Sequence, residues 1–257
     1  MLQFPLIVVG GSAGSIQPLI HLATGLPANF LAVVCIVIHT PAHGRSYLPE
    51  ILARAGPLPA TYAQNLERIK PGHLYCAPPD HHLLVGNGHL CITEGLKEHW
   101  SRPAIDPLFR SAAHEEDSNV IGVVLSDMLK DGSSGLWSIR KCGGIAVVQD
   151  PDDADHDSMP RNALVHVDVD HIVRSQDLAP LLIDLVSESA QRRAAPDGRG
   201  RNQGAGREGP VCTAFRNVTE NEAPSSVTLA TTTDDGGSAI QEAGFPRLGS
   251  THKDLRY

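Results

Sequence analysis

Three short stretches of this 257-residue chain set a reactive side chain where a buried strand would end. The first is Gly10-Gly11-Ser12-Ala13-Gly14-Ser15, which follows an apolar run at 6–9 and precedes a helix-like stretch. Gly10, Ser12 and Gly14 have the G-x-S-x-G spacing, in which a tight strand-to-helix turn lifts a serine hydroxyl above a sheet. The helix that follows offers free N–H groups and a positive dipole end beside a developing oxyanion. Alone, the pattern also fits a phosphate-binding turn or a plain tight turn. The second stretch is 31–38, closed by His39, which alone would also fit a strand-ending residue bonded to backbone. The third is Ser126-Asp127-Met128-Leu129-Lys130-Asp131-Gly132, after the apolar run 120–125. There Asp131 also fits a helix cap, and Asp127 a loop carboxylate.

Taken together the three are more specific than any one of them. A serine is a poor nucleophile until a base takes its proton, and histidine is the usual base. A carboxylate must then hold the imidazole tautomer and stabilise the imidazolium. Ser12, His39 and Asp131 supply one of each at three strand ends, where open α/β sheets place their ligands. Ala13 and Met128 are the candidates for the oxyanion or substrate edge. The order Ser, His, Asp differs from the Ser, Asp, His order of α/β-hydrolases. A dinucleotide site fits poorly, because GxGxxG from Gly10 would need glycine at Ser12 and an acidic residue at the end of the second strand, where His39 stands. His81 and His82 suggest a metal, yet neighbouring strand residues face opposite ways, so no metal is assigned.

The elements that must position these residues are legible as short, nearly continuous apolar runs at 6–9, 31–38, 73–77, 120–125 and 145–149, with a weaker one at 165–169. Such runs mark strands buried on both faces. Helix-like stretches lie between them at 15–24, 45–55, 104–114 and 132–142, with a closing helix at 178–191. Alternation of this kind predicts a doubly wound, mostly parallel α/β sheet with helices on both faces. Residues 80–93 read as a hairpin turning at Gly86-Asn87-Gly88, since Asn-Gly favours a type I′ turn. The composition changes after Gln191 to Gly, Arg, Pro, Thr and Ser without apolar periodicity, which predicts a catalytic domain at 1–190 and a disordered tail at 191–257.

The formal net charge of −8 and the lack of a basic stripe in the first 190 residues argue against nucleic acid as a partner. Five cysteines without a CxxC pair read as reduced thiols. No apolar run is long enough to cross a bilayer, and no basic leader precedes the first strand. A cytoplasmic location without membrane insertion is expected.

The ordered motifs resemble the catalytic domain of the CheB-type chemotaxis protein-glutamate methylesterases. They are Val8-Val9-Gly10-Gly11-Ser12-Ala13-Gly14, His39-Thr40-Pro41, Pro71-Gly72-His73-Leu74-Tyr75-Cys76-Ala77-Pro78-Pro79-Asp80-His81-His82, Arg102-Pro103, Asp106-Pro107-Leu108-Phe109, Asp131-Gly132, Gln149-Asp150 and Met159-Pro160-Arg161-Asn162-Ala163-Leu164. The resemblance covers about residues 4–186. It implies a Rossmann-like methylesterase fold, a methyl-accepting chemotaxis receptor as substrate, and glutamine deamidation as a second activity. It also implies Ser12 as nucleophile, His39 as general acid and base, Asp131 as orienting carboxylate, and no cofactor. Three departures stand out. Asp127-Met128-Leu129 replaces the family's Gly-Met-Gly. Ala13 and Ser15 replace a threonine and the second glycine after the nucleophile. The receiver domain that the family carries ahead of the catalytic domain has no counterpart. Asp127 is the sharpest departure, because a carboxylate near the oxyanion would oppose it. Two rivals stay open: a serine esterase of other specificity, and a binding or regulatory module that has lost its rate.

Overall fold

Strand β1 (Leu6–Gly11) is buried along its whole length, because its side chains alternate into two separate cores. Leu6 and Val8 enter one and Ile7 and Val9 the other, which is why the sequence shows unbroken apolarity instead of alternation. The computed structural model describes residues 2–40, 46–128 and 130–194. After β1 come α1 (Ile16–Gly25), β2 (Val33–Ile38), α2 (Leu48–Ala55), β3 (Ala60–Tyr62), β4 (Glu67–Arg68), β5 (His73–Cys76), β6 (His82–Gly86) and β7 (His89–Thr93). Then follow α3 (Ile105–Glu116), β8 (Val120–Val124), α4 (Ser133–Lys141), β9 (Ile145–Gln149), α5 (Ser158–His166), β10 (His171–Val173) and α6 (Leu178–Ala194).

Seven strands form one parallel sheet in the order β10-β9-β8-β1-β2-β5-β3. The chain winds outward from β1 through β2 to the edge strand β3, steps back to β5 between them, then returns to β8 on the other side of β1 and winds outward again. The switch point therefore lies between β1 and β8, where such sheets open a crevice at their carboxyl ends. Residues of α3, α4 and α5 pack on one face, and those of α1, α2 and α6 on the other. The doubly wound sheet with helices on both faces is thus observed. A second, antiparallel sheet, β4-β7-β6, contains the expected hairpin. Asn87 and Gly88 turn it with φ of 51° and 73°, as a type I′ turn requires.

One strand assignment is overturned. Residues 165–169 are not a strand: Val165 and His166 end α5, and the edge strand is β10, a few residues later. Met159, Pro160 and Ala163 of α5 are buried under the sheet, a helical spacing hidden by the proline in its first turn. The expected second strand also starts late, with Leu31 66% exposed. The tail assignment at 191–257 lies outside the described residues except for the last turn of α6, which continues through Ala194.

Candidate active site

Ser12 stands directly after β1, in a turn that glycine makes possible. Gly14 has φ of 80°, and a side chain at Gly10 would collide with Ile105 at the start of α3. That close approach lets the α3 N-terminus reach the strand ends. Three bonds fix the Ser12 backbone: its N–H donates to Ser126 O at 3.0 Å and to Ser15 Oγ at 3.2 Å, and its carbonyl accepts the Ser15 N–H at 3.1 Å. Ser15 Oγ in turn donates to Ser126 O at 2.7 Å. Ser126 Oγ donates to Ala13 O at 2.8 Å and accepts the His156 N–H at 2.9 Å. Ser15 and Ser126, which the sequence did not single out, thus tie the Ser12 turn to the β8 loop. Ser15 stands where the family pattern has glycine, so the departure has a structural use.

His39 follows β2, beside Ser12, because Gly11 pairs with Ile38 and the His39 N–H donates to Gly11 O at 3.1 Å. Its Nε2 lies 2.8 Å from Asp131 Oδ2. Its Nδ1 lies 2.9 Å from Asp127 Oδ2. Both aspartates are buried, Asp127 at 2% and Asp131 at 0% exposure. Burial alone would lower the His39 pKa, but the two carboxylates outweigh it and raise it to about 9. Among the described residues, Ser12 Oγ makes no hydrogen bond. The structure thus joins His39 to Asp131 and sets Ser12 on the adjoining strand end, with Asp127 on the remaining ring nitrogen.

Asp131 does more than face the histidine. Its Oδ2 accepts the Ile105 N–H at 2.6 Å, and its Oδ1 accepts those of Asp106 at 3.0 Å and Gly132 at 2.8 Å. Helix α3 has Ala104 at its N-cap and no capping side chain of its own. Asp131 supplies the cap from another loop, and not for α4, the helix that it immediately precedes. Burial would push its carboxyl up, but His39 and these amides hold it below the usual carboxylate range.

Asp106 extends the network. Its Oδ1 accepts the Gly135 N–H at 2.6 Å, and its Oδ2 lies 3.1 Å from His99 Nε2. Burial and the Asp131 charge raise its carboxyl despite these partners. His99, Asp106 and Asp131 are close enough to suggest a cation site. Their chemistry argues otherwise, since both oxygens of Asp131 and one of Asp106 are already spent on helix N-termini. Neither Asp106 nor His99 stood out as a site residue, because the contact that joins them to Asp131 spans 25 positions or more.

The remaining candidates separate. Ala13 is exposed at the turn. The Met128 N–H donates to Asp127 Oδ1 at 2.5 Å, so this candidate oxyanion donor is occupied. His82 is structural: its Nδ1 accepts the Ala104 N–H, which leaves Nε2 to donate to Leu96 O. His81 points elsewhere, toward Pro79 O and Glu94.

The CheB methylesterase family model matches residues 7–182. A relative from Leptospira interrogans, whose name describes a protein-glutamate methylesterase/protein-glutamine glutaminase, is 34% identical over 193 residues, which are 75% of this chain and 100% of that protein. A protein-glutamate methylesterase/protein-glutamine glutaminase from Burkholderia pseudomallei is 31% identical over 195 residues, 73% of this chain but 52% of its own. The chain therefore spans the whole of the first and about half of the second. The crystal structure of the Thermotoga maritima CheB methylesterase catalytic domain superposes with a TM-score of 0.69 at 29% identity, covering 72% of this chain and 100% of that one. The match over most of the described residues, in sequence and in fold, means that this chain belongs to the CheB methylesterase family, a family of carboxylic-ester hydrolases.

Proposed function

We propose that this chain is a protein-glutamate O-methylesterase of a chemotaxis-like pathway, acting on a methyl-accepting receptor through Ser12, His39 and Asp131. The observation that carries the reading is the 2.8 Å bond between His39 and a buried, helix-capping Asp131, set on the strand end beside Ser12. With Nε2 held by Asp131, Nδ1 is the nitrogen that takes the Ser12 proton. The Ser12 oxygen attacks the ester carbonyl of a methylated glutamate, and His39 returns the proton to the departing methoxide, which leaves as methanol. A water molecule, deprotonated by His39, then attacks the acyl-enzyme, and His39 passes that proton to the Ser12 oxygen as the acyl bond breaks and the glutamate side chain is freed. A glutamine side chain would follow the same course and release ammonia. The Ala13 and Met128 amides are the candidate oxyanion donors in this reading. Among the described residues no helix is long and apolar enough to cross a membrane. We assign the chain to the cytoplasm, where such a receptor would present its methylated segment.

The test is methanol release from methylated receptor, comparing the chain with Ser12→Ala. Release that survives the substitution would remove Ser12 from the mechanism. Turnover of a small ester without any release from receptor would favour an esterase of other specificity.

A further inference from the structure

Asp127 meets His39 at the nitrogen that Ser12 needs. Nδ1 is the ring nitrogen nearer the backbone, and the His39 backbone is bonded to Gly11 O, one residue before Ser12. Asp127 Oδ2 takes that position at 2.9 Å, and Asp127 Oδ1 accepts the Met128 N–H. One oxygen on the base and one on a candidate oxyanion donor is how a product carboxylate would sit in an esterase site. The backbone of Asp127 is pinned as well. Its N–H donates to His156 O at 3.2 Å, and its carbonyl accepts the Met159 N–H at 3.0 Å. Both partners flank the start of α5, so the side chain is held in this place by its backbone.

We propose that Asp127 is a positioning residue that occupies, in the resting chain, the two places a substrate carboxyl group needs: Nδ1 of His39 and the Met128 N–H. The inference rests on Ser12 and His39 being nucleophile and base. Among the described residues, the charged groups on the His39 ring are Asp127 and Asp131 from the loop after β8, and Ser12 stands on the adjoining strand end after β1. Asp106 and His99 stand behind Asp131, and Asp155 lies against Gly14. Two carboxylates on one ring favour the imidazolium, which has no lone pair for Ser12. The chain therefore rests in a restrained state. It gains rate as His39 loses its proton, or as a substrate carbonyl displaces Asp127.

The experiment is fluorophosphonate labelling of the full chain between pH 6 and pH 10, for the wild type, Asp127→Asn, Asp127→Gly and Ser12→Ala. The titration of the His39 ring is followed by NMR in parallel. In the wild type, labelling rises with a midpoint near 9. Asp127→Asn moves that midpoint down by about one pH unit or more and raises labelling at pH 7 by about tenfold. The His39 titration moves with it, and Asp127→Gly behaves alike should the amide of Asn re-form the contact. Coincident profiles in wild type and both variants overturn the proposal, as does slower labelling in folded variants at every pH. Labelling that persists in Ser12→Ala would instead sink the nucleophile assignment. The NMR midpoint still judges Asp127 in that case: a fall on substitution supports the clamp, and no change refutes it.

Discussion

Asp131 caps the helix that begins at Ile105, through a 2.6 Å bond from the Ile105 N–H to Asp131 Oδ2. The same oxygen receives the His39 ring at 2.8 Å, so one atom serves both the seating of α3 and the orientation of the imidazole. Four donors, three amides and the ring, converge on two oxygens that are wholly buried. Charge-assisted bonds of this kind are the stronger sort, and they keep the carboxylate ionised despite its burial.

Substituting Asp131 should therefore cost both rate and stability. Asp131→Asn turns an acceptor into a donor that faces amide N–H groups, leaving at least one of them unpaired. Each such loss costs on the order of 1–3 kcal/mol. The melting temperature should drop by several degrees, and hydrolysis by about three to four orders of magnitude. A variant that melts like the wild type yet loses all activity would separate the two roles and contradict the shared-atom reading.

Ser12→Ala and His39→Ala should each abolish hydrolysis, and the double variant should be scarcely slower than either single one. Groups that act as a unit lose their effect together. Additive losses in kcat would mean that the serine and the histidine do not share one proton transfer.

The fold was legible because buried parallel strands write themselves as unbroken apolar runs, and Ser12, His39 and Asp131 could be found because each follows the end of one. What stayed hidden depends on contacts across the sheet edge. Asp127 read as a loop carboxylate, or one opposing an oxyanion, since nothing local says that it turns inward to the His39 ring. Ser15 and Ser126 read as turn residues, because their bonds link loops 111 positions apart. Helix α5 was missed for a local reason: Val165 and Val167 mimic the alternation of a strand, and Pro160 breaks the helical pattern in its first turn.

The His39 clamp should also be visible in the stability of the chain. Asp127 and Asp131 push the folded His39 ring up to about 9, above the ordinary histidine value of 6.5, so folding is favoured while the ring is charged. That contribution is fully present below about pH 6.5 and is lost as pH rises through about 9. Asp131 has the opposite sign: its depressed carboxyl stabilises the fold above the usual aspartate range and loses that effect on acidification. Thermal melts should accordingly peak between the two regions and decline on the alkaline side. In Asp127→Asn the alkaline decline should end at lower pH and be smaller, because only the folded-state value falls. A wild-type melting temperature that stays level from pH 6.5 to pH 9 would contradict the raised histidine.

Trp100 offers a final test, one that separates stability from recognition. His99 and Trp100 occupy the tip of a two-residue turn closed by paired bonds between Glu98 and Ser101, with φ of 49° and 64°. Residues other than glycine rarely adopt this conformation, and it costs roughly 1 kcal/mol or more at each position. The turn is nevertheless held firmly. Arg110 grips Glu98 at 2.7 Å, and His99 lies on Asp106, next to Asp131. Trp100 itself is 92% exposed, so no packing energy explains an indole on so strained a backbone. A macromolecular substrate reaching Ser12 would give it a surface to cover. Trp100→Gly should raise the melting temperature by a few degrees, because glycine takes the positive φ freely. It should also raise KM for methylated receptor several-fold, with kcat on a small ester unchanged. An equal loss on the small ester would mean that the turn acts through His99 and the Asp131 network. An unchanged KM on receptor would remove Trp100 from the substrate edge.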